Sequence, residues 1–393
     1  MTYIKKELEG LTKEQLLLFV VAISAMFPYA LTYTVLCLFA VHLVYTKNIR
    51  SLFKKKTTAL YFLGLICTSF IASMVFANFE GLLFTIAILV FILYACYYCK
   101  YGNMDITRLI LLSVCILSVV AMLYALVVHI SNALEYGYSI FTVPDKVALR
   151  AKSFFSNPNY YATMIEFVVL IAMYFIITNK DVKSRCFFVG IIIVNILALY
   201  LTACRTAWGT FAFSIPILAI FSGEKKLRRF ILALCLVAVV AVIIRPSIIP
   251  RMDSIGRYFN GRVEIWQSSI SYIKHSVLFG QGPFSYLMNY NTYGGAHAVH
   301  SHSLYLEMLL SFGLIPTSLI GCYVVNLIKN LFKIWKSSEN RPMIALIYAT
   351  IISALSHGVF DFTLFWGQTA LVFIVILGMK HFISRRCFEE KNE

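Results

Sequence analysis

Charged side chains make up only 13% of this 393-residue chain, and acidic ones are the fewest, 18 against 34 Lys and Arg. Hydrophobic residues account for 60%. So little charge cannot cover a water-soluble domain of this length, which excludes an ordinary globular protein. There is no GxxxxGK[ST] loop, so nothing points to an ATP-driven cycle. There is no Asp-x-Asp pair, the usual holder of a metal and a nucleotide sugar. Neither HExxH nor GxSxG occurs, so protease and esterase logic is missing as well. The ten cysteines are scattered through apolar runs and their ends, and none falls in the polar stretch 245–301. Even the lone CxxC of Cys96 and Cys99 is a weak metal signal, and the cysteines read as packing residues rather than a disulfide framework.

What the chain does have is a series of apolar runs of about 20 residues, each long enough to cross a bilayer as a helix. They fall near 59–76, 81–99, 109–130, 158–178, 186–203, 206–222, 230–244, 303–328, 342–360 and 363–380. A further run, Leu16 to Tyr45, is too long for a signal-peptide core and lacks a small-residue cleavage site. Pro28 divides it, which predicts a hairpin of two short spans, with one kinked span as the alternative. The expected fold is all-α: a polytopic integral membrane protein of about 12 transmembrane helices with a large external loop containing short interfacial helices.

The basic residues orient the chain. The ends and loops at 1–14, 46–58, 100–108, 179–185, 223–229, 329–341 and 380–393 hold 25 of the 34 Lys and Arg residues. Cytoplasmic loops carry that excess, so both termini are expected inside. The net charge of +16 then reports topology rather than nucleic-acid binding. Segments 131–157 and 245–301 face outward, and so does the short turn at Arg205.

Arginine on the outside runs against that rule and needs a reason. Arg245, Arg251, Arg257 and Arg262 recur at spacings of five or six residues. A guanidinium suits phosphate because its planar fork donates two parallel hydrogen bonds. Anionic lipid headgroups are the bland alternative, above all for Arg251 and Arg257. The stretch Val263 to Phe279 carries Ile265, Trp266, Ile270, Ile273 and Val277 near helical spacing, which predicts an interfacial helix ended by Gly280. His297, His300 and His302 then arrive together where the polar segment enters an apolar run. Histidine titrates near neutrality and can take a proton from a hydroxyl. His302, at the mouth of the span, is the candidate base, with His300 and His297 orienting it or contacting sugar. Glu166 and Glu307 read as structural partners, His275 and His357 as structural, and Asp361 as exposed.

Several short motifs occur in an order that resembles the O-antigen ligase and polymerase superfamily of bacterial envelope glycosyltransferases. They are Ser156-Asn157-Pro158-Asn159 opening a span, Arg205-Thr206, Gly261-Arg262 with Trp266, Phe279-Gly280-Gln281-Gly282, and His302-Ser303 ahead of Gly313. The tail from His357 through Asp361 to Trp366 has the same character. The resemblance spans about 150–380, and Pro316 departs from the ligase pattern. It divides the chain into N-terminal transmembrane helices, 1–130, and a ligase/polymerase-like core, 131–393, with its external catalytic loop at 245–302.

The resemblance implies a membrane glycosyltransferase with an undecaprenyl-diphosphate-linked donor and its active site outside the bacterial inner membrane. Arg205 and Arg262 would hold the diphosphate, and His302 would deprotonate the acceptor hydroxyl. Arg257, Arg251, His300, His297, Asn157 and Asn159 are the expected substrate contacts. No metal and no cofactor are expected. Expected partners are the glycan donor, a glycan acceptor, membrane lipids, a chain-length regulator and a flippase; nucleic acid is not among them. Polymerisation of repeat units into capsule, exopolysaccharide or O-antigen leads. Ligation to lipid A-core, wall polymer or protein is the close alternative, and a precursor transporter or flippase the alternative of another class.

Overall fold

The computed structural model describes residues 9–53, 56–252, 255–337 and 340–389, and among them the chain is helical with no strand. The principal helices are α1 (Lys13–Ser24), α2 (Tyr29–Tyr45), α3 (Lys56–Val75), α4 (Phe79–Tyr101), α5 (Met104–Tyr136), α6 (Pro158–Thr178) and α7 (Val182–Thr202). They continue with α8 (Arg205–Phe221), α9 (Lys225–Ile244), α10 (Ile255–Ile273), α11 (Leu304–Phe312), α12 (Leu314–Ser337), α13 (Arg341–His357) and α14 (Gly367–Glu389). Among the described residues, five helices are long and apolar enough to cross a membrane: α4, α5, α6, α7 and most of α12. Tyr29–Tyr45, Phe62–Val75, Arg205–Phe221 and Gly367–Ile383 are shorter apolar helices. This is a membrane protein, although length and apolarity alone do not reach twelve spans.

Helix α6 is the axis of the core and is buried on almost every side. A helix that is apolar all round belongs inside a bundle, and α7, α8, α13 and α14 all pack against it. The outer helices instead expose apolar faces, such as Leu236, Val237, Ile243 and Ile244 on α9. Hydrocarbon is as good a neighbour for Leu as another helix is, so those faces need no protein cover. The core also takes in Leu18, Phe39 and Tyr94 from the first hundred residues.

The chain breaks at Pro28 as expected, and α1 and α2 form a hairpin. The Leu18 carbonyl on α1 accepts from Tyr94 Oη at 3.1 Å, while Phe39 on α2 packs its ring against the same tyrosine at 5.8 Å. Only antiparallel helices bring both to one side chain. Two expectations are corrected. The run 303–328 is not one helix, because Gly313 takes φ +73° and separates α11 from α12. The amphipathic helix covers Ile255–Ile273 rather than 263–279, so it begins before Arg257 and stops short of Gly280.

Gly280 and Gly313 pass so closely that a Cβ on Gly280 would lie 2.6 Å from the Gly313 nitrogen. The backbones pair there, Gln281 N to Leu310 O at 2.9 Å and Leu314 N to Val277 O at 2.8 Å. The segment after α10 is thereby stitched to the α11–α12 joint. Asn78, in the turn between α3 and α4, donates to Pro283 O at 2.7 Å and fastens the same segment to the N-terminal helices.

Candidate active site

The site gathers at the end of α6 that carries Asn159. Its first component is the His302 loop. Ser303 caps α11, and Glu307, one turn into that helix, accepts from the Ser301 nitrogen at 2.8 Å. His302 takes φ +49°, a conformation uncommon outside glycine. Leu304 N donates to Gly358 O at 2.7 Å, which brings the loop against the turn after α13. Trp266 of α10 closes the joint from outside, donating Nε1 to His302 O at 3.4 Å and packing near the Phe360 ring.

That arrangement sets Asp361 beneath the histidines. Asp361 is 2% exposed, which corrects the reading of it as an exposed residue. Its Oδ1 lies 3.4 Å from His302 Nδ1, at ion-pair distance though off the line of a hydrogen bond. It lies 3.5 Å from His300 Nε2 and accepts from Phe362 N at 2.8 Å. Oδ2 accepts from Asn159 Nδ2 at 2.6 Å. Burial alone would raise this carboxyl's pKa, yet contact with His302 and the nearby His300 and Arg262 hold it well below the usual range. Asp361 is therefore a carboxylate at neutral pH.

The two histidines differ. His300 is buried, and burial lowers its pKa to about 4, so it is neutral. Its Nδ1 accepts from His302 N at 3.1 Å, so the proton sits on Nε2, which donates to the Tyr160 hydroxyl at 3.1 Å. His302 keeps 27% of its side chain exposed. With Nδ1 turned to Asp361, its Nε2 is free to take a proton from a substrate. A carboxylate at this distance favours the proton on the facing imidazole nitrogen electrostatically and leaves the other nitrogen as the base.

The arginines form the second component. Arg205 opens α8, where the amide groups of a helix N-terminus add to its positive charge. Its Nη1 donates to Arg251 O at 2.7 Å. Arg251 is otherwise engaged, with Nε on Asp145 Oδ1 at 2.7 Å and its guanidinium 4.4 Å from the Tyr258 ring centre. Arg262, on α10, lies over the Phe360 ring at 5.7 Å. Its charge disfavours that of Arg205 and stabilises the Asp361 carboxylate. Arg262 thus joins the arginine group to the histidine group.

The remaining expected contacts divide. Asn159 is at the site but spends its side chain on Asp361, while Asn157 caps α6 by accepting from Asn159 N at 2.8 Å. His297 lies exposed with its ring edge-on to Tyr290. The Arg257 side chain lies outside the described residues. Glu166 pairs with His357 at 2.6 Å within the core, as expected of structural residues. The sequence reading missed Arg150, buried and bound to both Thr202 O at 2.6 Å and Asn159 Oδ1 at 3.2 Å. Asp361 was legible only as an acid in a chain with few of them, in an interhelical turn.

His300, His302 and Asp361 bring potential metal-ligand atoms within 4.8 Å of one another. As hydrogen-bonded, the trio does not suit a cation. His300 Nδ1 already accepts a backbone N–H, so ligation through Nε2 would require an imidazolate.

Among the described residues, then, an all-helical membrane protein sets arginines near a histidine backed by a carboxylate. Residues 190–321 match the family model described as O-antigen ligase, which supports the resemblance to the O-antigen ligase and polymerase superfamily. That match includes Arg205, Arg262 and His302, while Arg150, Asn159 and Asp361 lie outside it. No curated protein matches the chain.

Proposed function

We propose that this protein is a glycosyltransferase that polymerises lipid-diphosphate-linked oligosaccharide repeat units on the outer face of the bacterial inner membrane. The observation that carries the proposal is the Asp361–His302 pair, 3.4 Å apart, with Arg262 over the neighbouring Phe360 ring and Arg205 over the ring of Tyr258 on the same helix α10; Arg205, Arg262 and His302 all fall in the segment that matches the O-antigen ligase model. The donor glycan is carried on undecaprenyl diphosphate. Arg205 and Arg262 bind the diphosphate through their forked donors.

His302 Nε2 takes the proton from the acceptor hydroxyl as that oxygen attacks the anomeric carbon. The bond from that carbon to the diphosphate oxygen breaks, and the lipid diphosphate leaves with its added negative charge facing the guanidinium groups. A single displacement inverts the anomeric configuration. Asp361 holds the imidazole in the working tautomer and balances its charge once protonated. The two guanidinium groups supply the positive charge that a metal ion brings elsewhere.

The second reading is a ligase that moves finished glycan to a terminal acceptor, and the description of the matched family favours it. The two share this chemistry and differ in acceptor. Deleting the gene and analysing the surface glycan with the lipid-linked pool separates them. Loss of polymer with single repeat units accumulating on the lipid supports the polymerase. Accumulation of long lipid-linked chains supports the ligase, and an unchanged glycan and lipid pool sinks both.

A further inference from the structure

We infer that Arg150 is a positioning residue that fastens the diphosphate-binding turn to the catalytic base, and that Asn159 is the link. The inference rests on the functional reading above and adds two residues to it. Arg150 precedes α6 on the strap between α5 and α6, and the strap is held along the end of α7 by Ala151 N to Leu201 O at 3.1 Å. One buried guanidinium takes two acceptors from different parts of the fold. Nε donates to the Thr202 carbonyl at 2.6 Å, and Thr202 is the last residue of α7, just ahead of Arg205. Nη2 donates to Asn159 Oδ1 at 3.2 Å.

Asn159 then has one arrangement open to it. A guanidinium only donates, so the amide oxygen must face Arg150. The amide nitrogen is left to donate to Asp361 Oδ2, as it does at 2.6 Å. A flipped amide would set an NH2 group against the guanidinium and an oxygen against the carboxylate, leaving buried groups unsatisfied on both sides. Asp361 is thereby held from one oxygen while the other faces His302 and His300. A polar line runs from the Thr202 carbonyl, just ahead of Arg205, through Arg150 and Asn159 to Asp361, whose Oδ1 lies 3.4 Å from His302 Nδ1. Arg150 remains charged at neutral pH even though burial, with Arg251 and Arg205 near, lowers its pKa to about 10. Seating of the donor's diphosphate on Arg205 and alignment of the base on His302 are two ends of one connection.

The test uses the full-length protein in lipid nanodiscs with an undecaprenyl-diphosphate oligosaccharide as donor. Arg150→Lys keeps the charge but has no fork to hold both acceptors. The expected result is a kcat lower by roughly 10- to 100-fold with the donor KM within about threefold. Asn159→Asp keeps the shape and adds a carboxylate beside Asp361. Asp361 and His300 face His302, Glu307 of α11 acts on it electrostatically, and Arg262 of α10 and Tyr160 of α6 act on Asp361 and His300 in turn. Extra negative charge among them retains a proton on the base to higher pH, so the acid limb of the kcat profile moves upward in pH.

A double-mutant cycle of Arg150→Lys with Asp361→Asn, read by thermal unfolding, needs no substrate and should be non-additive. Additive unfolding, or a wild-type kcat in Arg150→Lys with an unmoved limb in Asn159→Asp, overturns the inference. A wild-type protein that transfers nothing from this donor overturns the functional reading instead, and the cycle still decides the tie.

Discussion

Asp361 Oδ1 and His302 Nδ1 stand 3.4 Å apart at the junction of two loops, joined there because Leu304 N donates to Gly358 O at 2.7 Å. If that pairing sets the tautomer of the base, Asp361→Asn should lower kcat by roughly 100-fold or more while protein yield holds, since positioned proton transfer contributes about 10²–10⁴. His302→Ala should abolish polymer while the protein still inserts. Normal polymer length and amount in a His302→Ala strain, measured on the surface glycan, would remove His302 from the role of base.

The arginines predict a charge-conserving loss. Arg205→Lys and Arg262→Lys retain the positive charge but not the bidentate fork. Each is expected to raise the donor KM and lower kcat, and donor titrations of the purified variants read both. Lysine variants with wild-type constants would reduce the arginines to topology determinants or lipid contacts.

Acid should destabilise the site in a defined window. His300 has its pKa lowered to about 4, so between about 6.5 and 4 the unfolded chain takes up a proton there that the folded chain refuses. The stability that neutral His300 contributes is present above about pH 6.5 and is lost as pH falls toward 4. Asp361, held below its usual range, adds a loss at the lower end of that fall. Melting temperature against pH should therefore drop less steeply in His300→Gln than in wild type. Identical slopes would contradict the burial of a neutral imidazole.

The Gly280–Gly313 crossing predicts a structural failure at two positions. Each has positive φ, and a Cβ at Gly313 would lie 2.4 Å from the Gly280 nitrogen. Gly280→Ala and Gly313→Ala should loosen the segment between α10 and α11, seen as faster limited proteolysis between residues 274 and 303 with loss of transfer.

A chelator separates guanidinium from metal catalysis. Activity after exhaustive treatment with EDTA should equal that before it. A loss restored by a divalent cation would return His300, His302 and Asp361 to the status of ligands.

The sequence exposed what is local. Apolar runs located the helices, Pro28 divided the first of them, and the order of short motifs, through the resemblance they carry, pointed to Arg205 and Arg262. The break at Gly313 was hidden because the run 303–328 is continuously apolar, and only the approach of Gly280 makes the glycine bend. Amphipathic spacing found α10 but misplaced it, since apolar residues continue after Ile273 into the segment that pairs with α12. Asp361 and Arg150 were hidden for a different reason. Each is defined by partners far away in the chain, Asp361 by Asn159 and His302, Arg150 by Thr202 and Asn159.

The buried pair of Glu166 and His357, with Ser353 donating to the same carboxylate at 2.6 Å, has a consequence for how the protein is made. Helix α6 leaves the ribosome long before α13 exists. Until α13 arrives, Glu166 must enter the bilayer without its partner, and an acidic side chain at mid-helix costs roughly 2.5–3.5 kcal/mol on insertion scales. The central helix is thus costly to leave alone in lipid, and its acidic side chain gains its partner only when nearly the whole chain has been synthesised.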